Sequence, residues 1–215
     1  MRRDGKVTVL LSGRGSNLKA LIQHQSGYRI NHVISDKADA GGLEIAREAG
    51  IATSVVQRPE YPSLADFKAG VLQAVRGTEP DLVALAGFMV MIQPAFVEEF
   101  HGRLVNIHPS LLPNFPGLLT HARALEANAT QHGCTVHFVD AGMDTGPLIA
   151  QASVPVQSHD TPDTLAARVI VQEHSLYPWV VRNVVQGEIQ LDNRAVTYSE
   201  SVRAEARESG FTIFS

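Results

Sequence analysis

Five apolar side chains in succession, Leu82-Val83-Ala84-Leu85-Ala86, leave the segment from Asp81 to Ala86 without a face for solvent. A strand of this composition is stable only inside a sheet that is covered on both sides. Further β-rich runs are Val7–Leu11, Tyr28–Ser35, Ala52–Val56, Leu104–Ile107, Thr135–Val139 and Leu148–Val156. Helical spacings fall between them: Leu18, Leu21 and Ile22, then Leu43–Ala49 stopped by Gly50, Leu64–Val75, Pro94–Phe100 and His121–Ala127. Alternating strands and helices argue for an α/β chain with a largely parallel sheet and right-handed crossovers. Thr161 as cap, with Pro162 at the first helical position, opens a long helix through Leu165, Val169 and Leu176 toward Val185, with a bend expected at Pro178. From Gln190 onward the chain reads as a weak strand pair, and residues 191–215 as a polar tail. No repeat or linker marks a boundary, so residues 1–215 are expected to form one domain.

In parallel sheets ligands sit beyond the carboxyl ends of the strands. The loops after Leu11, Ala86 and Val105 should therefore share one rim. The first is Ser12-Gly13-Arg14-Gly15-Ser16-Asn17. Its glycines allow unusual backbone angles and close approach, and the N–H groups opening the next helix can bind a phosphate. The motif is neither Gly-x-Gly-x-x-Gly nor a Walker loop, and a tight turn capped by Ser16 or Asn17 explains it equally. The second loop, Gly87-Phe88-Met89-Val90-Met91-Ile92, suits core packing or an apolar wall for a flat ring.

At the third loop, strand alternation puts Asn106 and His108 on the same face. An amide can donate to a developing oxyanion, and an imidazole can exchange a proton near neutral pH. Asp144, in the loop Asp140-Ala141-Gly142-Met143-Asp144, can pair with His108 and favour its charged form. Thr135 and His137 alternate on one strand face and can line the same pocket. Singly, His108 also reads as a hydrogen-bonded structural ring and Asp144 as a turn residue. Cys134 has nothing nearby to activate it and Ser110 sits in a rigid prolyl turn, so direct amine attack on a carbonyl fits better than a covalent intermediate. The pairs among His101, His121, His132 and His137 lack the helical spacing of a zinc site, and no metal is expected.

Bulk properties narrow the class further. Hydrophobic residues make up 44% and charged residues 19%, enough to bury a core. A single cysteine excludes an internal disulfide and a thiolate cluster. The net charge of -4 gives no general attraction to nucleic acid. No apolar run reaches the roughly 18 residues of a membrane helix, and Met1-Arg2-Arg3-Asp4-Gly5-Lys6 lacks the features of a signal peptide. A cytoplasmic protein without membrane or nucleic-acid partners is expected.

The run Asn106-x-His108-Pro109-Ser110-Leu111-Leu112-Pro113, followed by Pro116-Gly117 and Asp144-x-Gly146, resembles the signature of the folate-dependent formyltransferases. The opening Leu11–Leu18, the stretch Ala86–Met89 and Gln172-Glu173-His174 narrow the likeness to the purine-synthesis branch, over about residues 6–190. The resemblance implies a Rossmann-like three-layer formyltransferase fold with a mostly parallel central sheet. It implies transfer of the formyl group of 10-formyltetrahydrofolate, a co-substrate, to the glycine amine of glycinamide ribonucleotide. Residues 1–100 would form a nucleotide-binding half and residues 101–190 the formyl-transfer and folate half. By the same likeness Asn106, His108 and Asp144 would be catalytic. Gly15, Ser16, Asn17, Ile170, Val171, Gln172 and Glu173 would hold the ribonucleotide. Met89, Val90, Met91, Ile92, Asn106, Asp140, Ala141, Gly142, Met143 and Asp144 would hold the folate. A homodimer is compatible with it.

Members often carry an arginine near residue 64 for the folate glutamate tail. Tyr61–Lys68 has none, which leaves Arg58 or Lys68 as candidates, while Val90 and Asn114 stand where basic residues are common. These departures touch the affinity for the tail rather than the reaction. A sugar-nucleotide amine acceptor and a non-catalytic nucleotide or folate module are the alternatives. A tRNA formyltransferase would carry an added basic barrel, and a formyltetrahydrofolate hydrolase a preceding regulatory domain.

Overall fold

The structure is a computed structural model that describes residues 4–214. The expectation about a leader rests partly on Met1-Arg2-Arg3, which lie outside the described residues, as does Ser215 at the end of the expected tail. Strands β1 (Gly5–Leu11), β2 (Tyr28–Ser35), β3 (Ala52–Val55), β4 (Leu82–Leu85) and β5 (Leu104–His108) alternate with helices α1 (Ser16–Gln23), α2 (Gly41–Glu48), α3 (Leu64–Arg76) and α4 (Pro94–Glu99). Helix α5 (Thr120–Glu126), strands β6 (Gln131–Phe138) and β7 (Leu148–Pro155) and helix α6 (Pro162–Val185) follow. The chain closes with β8 (Ile189–Asp192), β9 (Ala195–Tyr198), α7 (Glu200–Ser209) and β10 (Thr212–Ile213).

The main sheet runs β10-β7-β6-β5-β4-β1-β2-β3. The pairs β5·β4, β4·β1, β1·β2 and β2·β3 are parallel, whereas β5·β6, β6·β7 and β7·β10 are antiparallel. Side-chain alternation divides the core into two layers. Val7, Val9 and Leu11 of β1 join Leu82, Ala84, Val105 and Ile107 beneath α1, α2 and α6. Leu10, Val83, Leu85 and Leu104 point the other way, toward Phe67, Val71 and Phe96 of α3 and α4. This is the three-layer arrangement expected for strands without a solvent face.

The 24-residue α6 begins as expected, with Thr161 and Thr164 forming a reciprocal capping box and Pro162 in the first turn. The helix runs without interruption through Pro178, where a bend was expected. The buried Tyr177 hydroxyl donates to the Leu85 carbonyl (2.8 Å) and thereby ties α6 to the end of β4.

The expected strand pair after Gln190 is the β8–β9 hairpin. The described part of the expected polar tail, residues 191–214, carries further regular structure. Ser199 caps α7, Gly210 ends it at φ 73°, and β10 pairs with β7 through Thr212↔Gln151. Only Val202 and Ala206 of α7 are buried, too few apolar positions to announce an amphipathic helix.

The first loop packs against α2 at very short range. The Gly42 N–H donates to the Gly13 carbonyl (3.1 Å), and a Cβ on Gly42 would lie 2.4 Å from Leu11 Cδ2 and 3.2 Å from Gly15 Cα. Gly42→Ala should overpack this contact and cost roughly 1–3 kcal/mol. Urea unfolding measures it, and an unchanged midpoint would show that Leu11 moves aside freely.

Candidate active site at the carboxyl edge of β5

The loops after β1, β4 and β5 meet on one rim, as the parallel order requires. The Ser12 N–H donates to the Gly87 carbonyl (3.1 Å), and the Met89 N–H donates to Ser12 Oγ (2.9 Å). His108 ends β5 on this rim and is only 5% exposed. A buried imidazole needs partners for both nitrogens. Nε2 donates to the Phe115 carbonyl (3.0 Å), and Nδ1 faces Asp144 Oδ2 at 3.4 Å. A carbonyl can only accept, so neutral His108 carries its proton on Nε2. A second proton, on Nδ1, makes the Asp144 contact an ion pair.

The carboxylate itself is held by backbone. Gly117 N–H donates to Asp144 Oδ2 (2.8 Å), and Asp144 adopts φ 56°, an uncommon conformation for a residue with a side chain. Asp140 Oδ1 accepts from Gly142 N–H (3.0 Å) and Thr145 Oγ (2.7 Å), closing the 140–145 loop on itself. Those two bonds and the exposed Arg194 guanidinium hold the Asp140 carboxyl below its ordinary range, against the opposing and largest effect of burial. Gly146 cannot carry a Cβ, which would lie 1.8 Å from the Phe138 carbonyl oxygen.

Asn106 pairs with His137 across β5·β6, and His108 with Thr135. His137 Nδ1 donates to the Phe138 carbonyl (2.8 Å), so its Nε2 accepts from Asn106 Nδ2 (3.2 Å). This bond fixes the Asn106 amide through one of its two hydrogens and leaves the second for a ligand. His137 Nε2 also lies 3.8 Å from Asp144 Oδ1. Burial lowers the pKa of His137 and keeps the ring neutral. His137 thus joins the three polar groups named from the sequence. Its pairing on the strand face was legible. The Phe115 carbonyl and the Gly117 N–H were not, because no residue type marks a backbone group.

Cys134 is buried and burial pushes its thiol up, while Ser110 Oγ donates to the Asn114 carbonyl (2.6 Å). Neither is a free nucleophile. Among the described residues no group of three or more His, Cys, Asp or Glu is arranged to hold a metal. No helix of the described residues is long and apolar enough to cross a membrane.

At the first loop Gly15 takes φ 81° and precedes α1, whose first turn has no side-chain cap. The capping role considered for Ser16 and Asn17 is therefore absent, and the opening N–H groups remain available to an anion. Gly13 has open space where a Cβ would lie, so the close approach rests on Gly15. Asn17 Nδ2 donates to Glu173 Oε2 (2.7 Å), which brings α6 to the loop. Burial pushes the Glu173 carboxyl up, and the Asn17 amide opposes this. Ile170 is half-buried one turn earlier on α6, and Val171 is exposed. Gln172 lies elsewhere, in a groove of about 610 Å³ with His24, His174, Trp179 and Arg182.

The second loop divides. Val90 and Ile92 pack on the α3–α4 core layer, whereas Met89 and Met91 are exposed, Met89 to 66%. Core packing therefore holds for Val90 and Ile92 but not for Met89 and Met91. Ala141, Gly142 and Met143 are exposed in the 140–145 loop. Arg58 donates to the Tyr61 carbonyl (2.9 Å), while Lys68 lies beside Val90, Met91 and Ile92.

Behind His108, His121 Nδ1 and His132 Nε2 share a hydrogen bond (3.1 Å). Burial, with the His121 and His108 rings nearby, lowers His132 to about 4.

Residues 5–181 match the model of the formyl transferase family. The chain is 45% identical over 193 residues to phosphoribosylglycinamide formyltransferase of Escherichia coli (strain K12), covering 88% of this chain and 91% of that protein. It is 42% identical over 194 residues to the trifunctional purine biosynthetic protein adenosine-3 of Homo sapiens, spanning 19% of that longer protein. The crystal structure of glycinamide ribonucleotide transformylase 1 from Symbiobacterium toebii superposes with a TM-score of 0.88 at 41% identity, covering 92% of this chain and 95% of that one.

The His132 shift makes a pH prediction. Unfolded histidine binds a proton near pH 6.5, whereas folded His132 does so only near 4. Its contribution to stability is full above about pH 6.5 and is lost as pH falls toward 4, at up to ~1.4 kcal/mol per pH unit. In His132→Gln, urea-derived stability should depend less steeply on pH across this window; an unchanged slope would refute the assignment.

Proposed function

We propose that this chain, which belongs to the formyl transferase family, transfers the formyl group of 10-formyltetrahydrofolate to the glycine amine of glycinamide ribonucleotide, as phosphoribosylglycinamide formyltransferases do in purine biosynthesis. The observation that carries this reading is the convergence of the Asn106 amide, the His108 imidazole and the Asp144 carboxylate on one rim, beside an uncapped helix start joined to Glu173. No side-chain nucleophile is free there, which favours direct attack by the substrate amine.

In this mechanism the amine nitrogen forms a bond to the formyl carbon, and the carbonyl oxygen gains negative charge. The free hydrogen of the Asn106 amide bonds to that oxygen, and the positive charge of the His108 imidazolium stabilises it. Asp144 holds the imidazolium. Collapse of the tetrahedral intermediate breaks the bond from formyl carbon to folate N10, and the proton given up by the amine passes to N10 with His108 as relay. The products are tetrahydrofolate and the formylated ribonucleotide.

The N–H groups of Ser16 and Asn17, after Gly15, take the phosphate. Glu173 accepts from ribose hydroxyls, with Ile170 and Val171 beside it. Met89, Met91 and the 140–143 segment, exposed at Ala141, Gly142 and Met143, bracket the folate ring. The expected division at about residue 100 is therefore crossed on both sides, by Glu173 toward the ribonucleotide and by Met89 and Met91 toward the folate.

A folate-absorbance assay with glycinamide ribonucleotide as acceptor tests the reading. Acceptor-dependent loss of the formyl group is expected, and its absence with folded protein overturns the proposal. Turnover with a sugar-nucleotide amine in place of the ribonucleotide would reassign the acceptor. Asn106→Ala should lower kcat by roughly 10²–10³-fold without unfolding the chain. Glu173→Ala should raise KM for the ribonucleotide while KM for the folate stays near its wild-type value; equal changes in both would remove Glu173 from acceptor binding.

A further inference from the structure

The segment 115–118 delivers two backbone groups to the site. The Phe115 carbonyl accepts the Nε2 proton of His108, and the Gly117 N–H donates to Asp144. The same segment is poorly supported by its own residues. Phe115 and Leu119 are non-glycine residues at φ 54° and 56°, and Gly117 lies at φ 77°. Left-handed backbone costs free energy wherever a Cβ is present. Leu118 and Leu119 are 74% and 77% exposed, so their side chains add little burial to offset that strain.

The geometry points to Arg123, on α5, as the positioning residue that holds this segment and, through it, the His108 tautomer. Its guanidinium donates to the Pro116 carbonyl and, at 3.4 Å, to the Leu118 carbonyl. It also lies over the Phe115 ring, 5.8 Å from the centroid. The four residues therefore alternate in use. Groups of 115 and 117 face the site, while carbonyls of 116 and 118 face Arg123. Both bonds leave one guanidinium nitrogen, Nη1, while the guanidinium as a whole stacks over the ring; a lysine ammonium could supply the bonds but not the planar stack. Edge-on contact of Phe115 with His132 (6.0 Å) supports the far side of the ring. Arg123 touches neither His108 nor Asp144 in this arrangement and acts only through the segment between them.

The consequence is chemical. With the Phe115 carbonyl in place, Nε2 keeps its proton and Nδ1 is the nitrogen that exchanges one beside Asp144. If the segment loosens, Nε2 loses its acceptor and the neutral ring can carry its proton on either nitrogen.

The test compares wild type, Arg123→Ala and Arg123→Lys by multiple-bond ¹H–¹⁵N spectra of the histidine rings at about pH 8.5, where an ordinary imidazole is neutral. Wild-type His108 should show the Nε2–H form, Arg123→Ala a mixture of tautomers, and Arg123→Lys an intermediate pattern. The kinetic part rests on the formyl-transfer reading. There, Arg123→Ala should lose about tenfold in kcat with both KM values within about twofold, the pattern of misplaced chemistry rather than weakened binding. Millimolar guanidinium should restore part of the loss in Arg123→Ala and none in wild type. An Arg123→Ala protein with the wild-type His108 spectrum overturns the inference, as does a kcat within about twofold of wild type. If Arg123→Ala does not fold, Arg123→Lys decides by the same spectra. If wild type transfers no formyl group, the function reading fails, and the tautomer comparison still decides the role of Arg123.

Discussion

A buried imidazole at the end of a buried strand is the constraint on which this site depends. His108 lies at the carboxyl end of an interior strand, whose backbone is paired with β4 on one side and β6 on the other. Its ring nitrogens must find partners in a place with little water. One partner, the Phe115 carbonyl, comes from the turn that follows β5, and the other, Asp144, from a loop much further along the chain. Each requires a left-handed residue, Phe115 itself at φ 54° and Asp144 at φ 56°. Strain of this kind persists only where surrounding contacts hold it, and here those contacts are the Gly117 N–H and the Arg123 guanidinium.

The two sides of the rim are built differently. On the β1 side, rigidity comes from close approach: Gly15 and Gly42 nearly touch, and Asn17 reaches Glu173 across 2.7 Å. On the β5 side, rigidity comes from hydrogen bonds to loop backbone. A phosphate needs fixed N–H groups, which a helix start supplies. A travelling proton needs a ring whose two nitrogens are distinguished, which loop carbonyls and carboxylates supply. Between them the 87–92 loop anchors Val90 and Ile92 in the core and leaves Met89 and Met91 outward. Tyr177 and Ser12 secure the base of that loop from α6 and from β1.

Much of the fold was legible because each strand and helix carried its own pattern. The apolar run at Leu82–Leu85 required cover on both faces, and α3 with α4 on one side and α1, α2 and α6 on the other provide it. Asn106 and His108 were legible as a pair because strand alternation is local. Helix α7 was not, since Val202 and Ala206 are its only buried side chains and the remainder is polar. It is held from outside, by β10 pairing on β7 and by Trp179 donating to Glu205. Gln172 shows the same limit. Its neighbour Glu173 faces the first loop, but a helix turns by about 100° per residue, and Gln172 enters a separate groove.

By itself, then, the sequence determined the α/β architecture, the shared rim and the residue types available there, because hydrophobic period and strand alternation act over a few residues. Only the tertiary structure decided which of those residues meet. Asp144 reaches His108 because β6 and β7 run antiparallel and return the 140–145 loop to the edge of β5. The proton on Nε2 of His108 is decided by a carbonyl seven residues away. Backbone groups are identical at every position, so no residue type could announce that partner; only the path of the loop, set by its left-handed turns and by Arg123, brings it there.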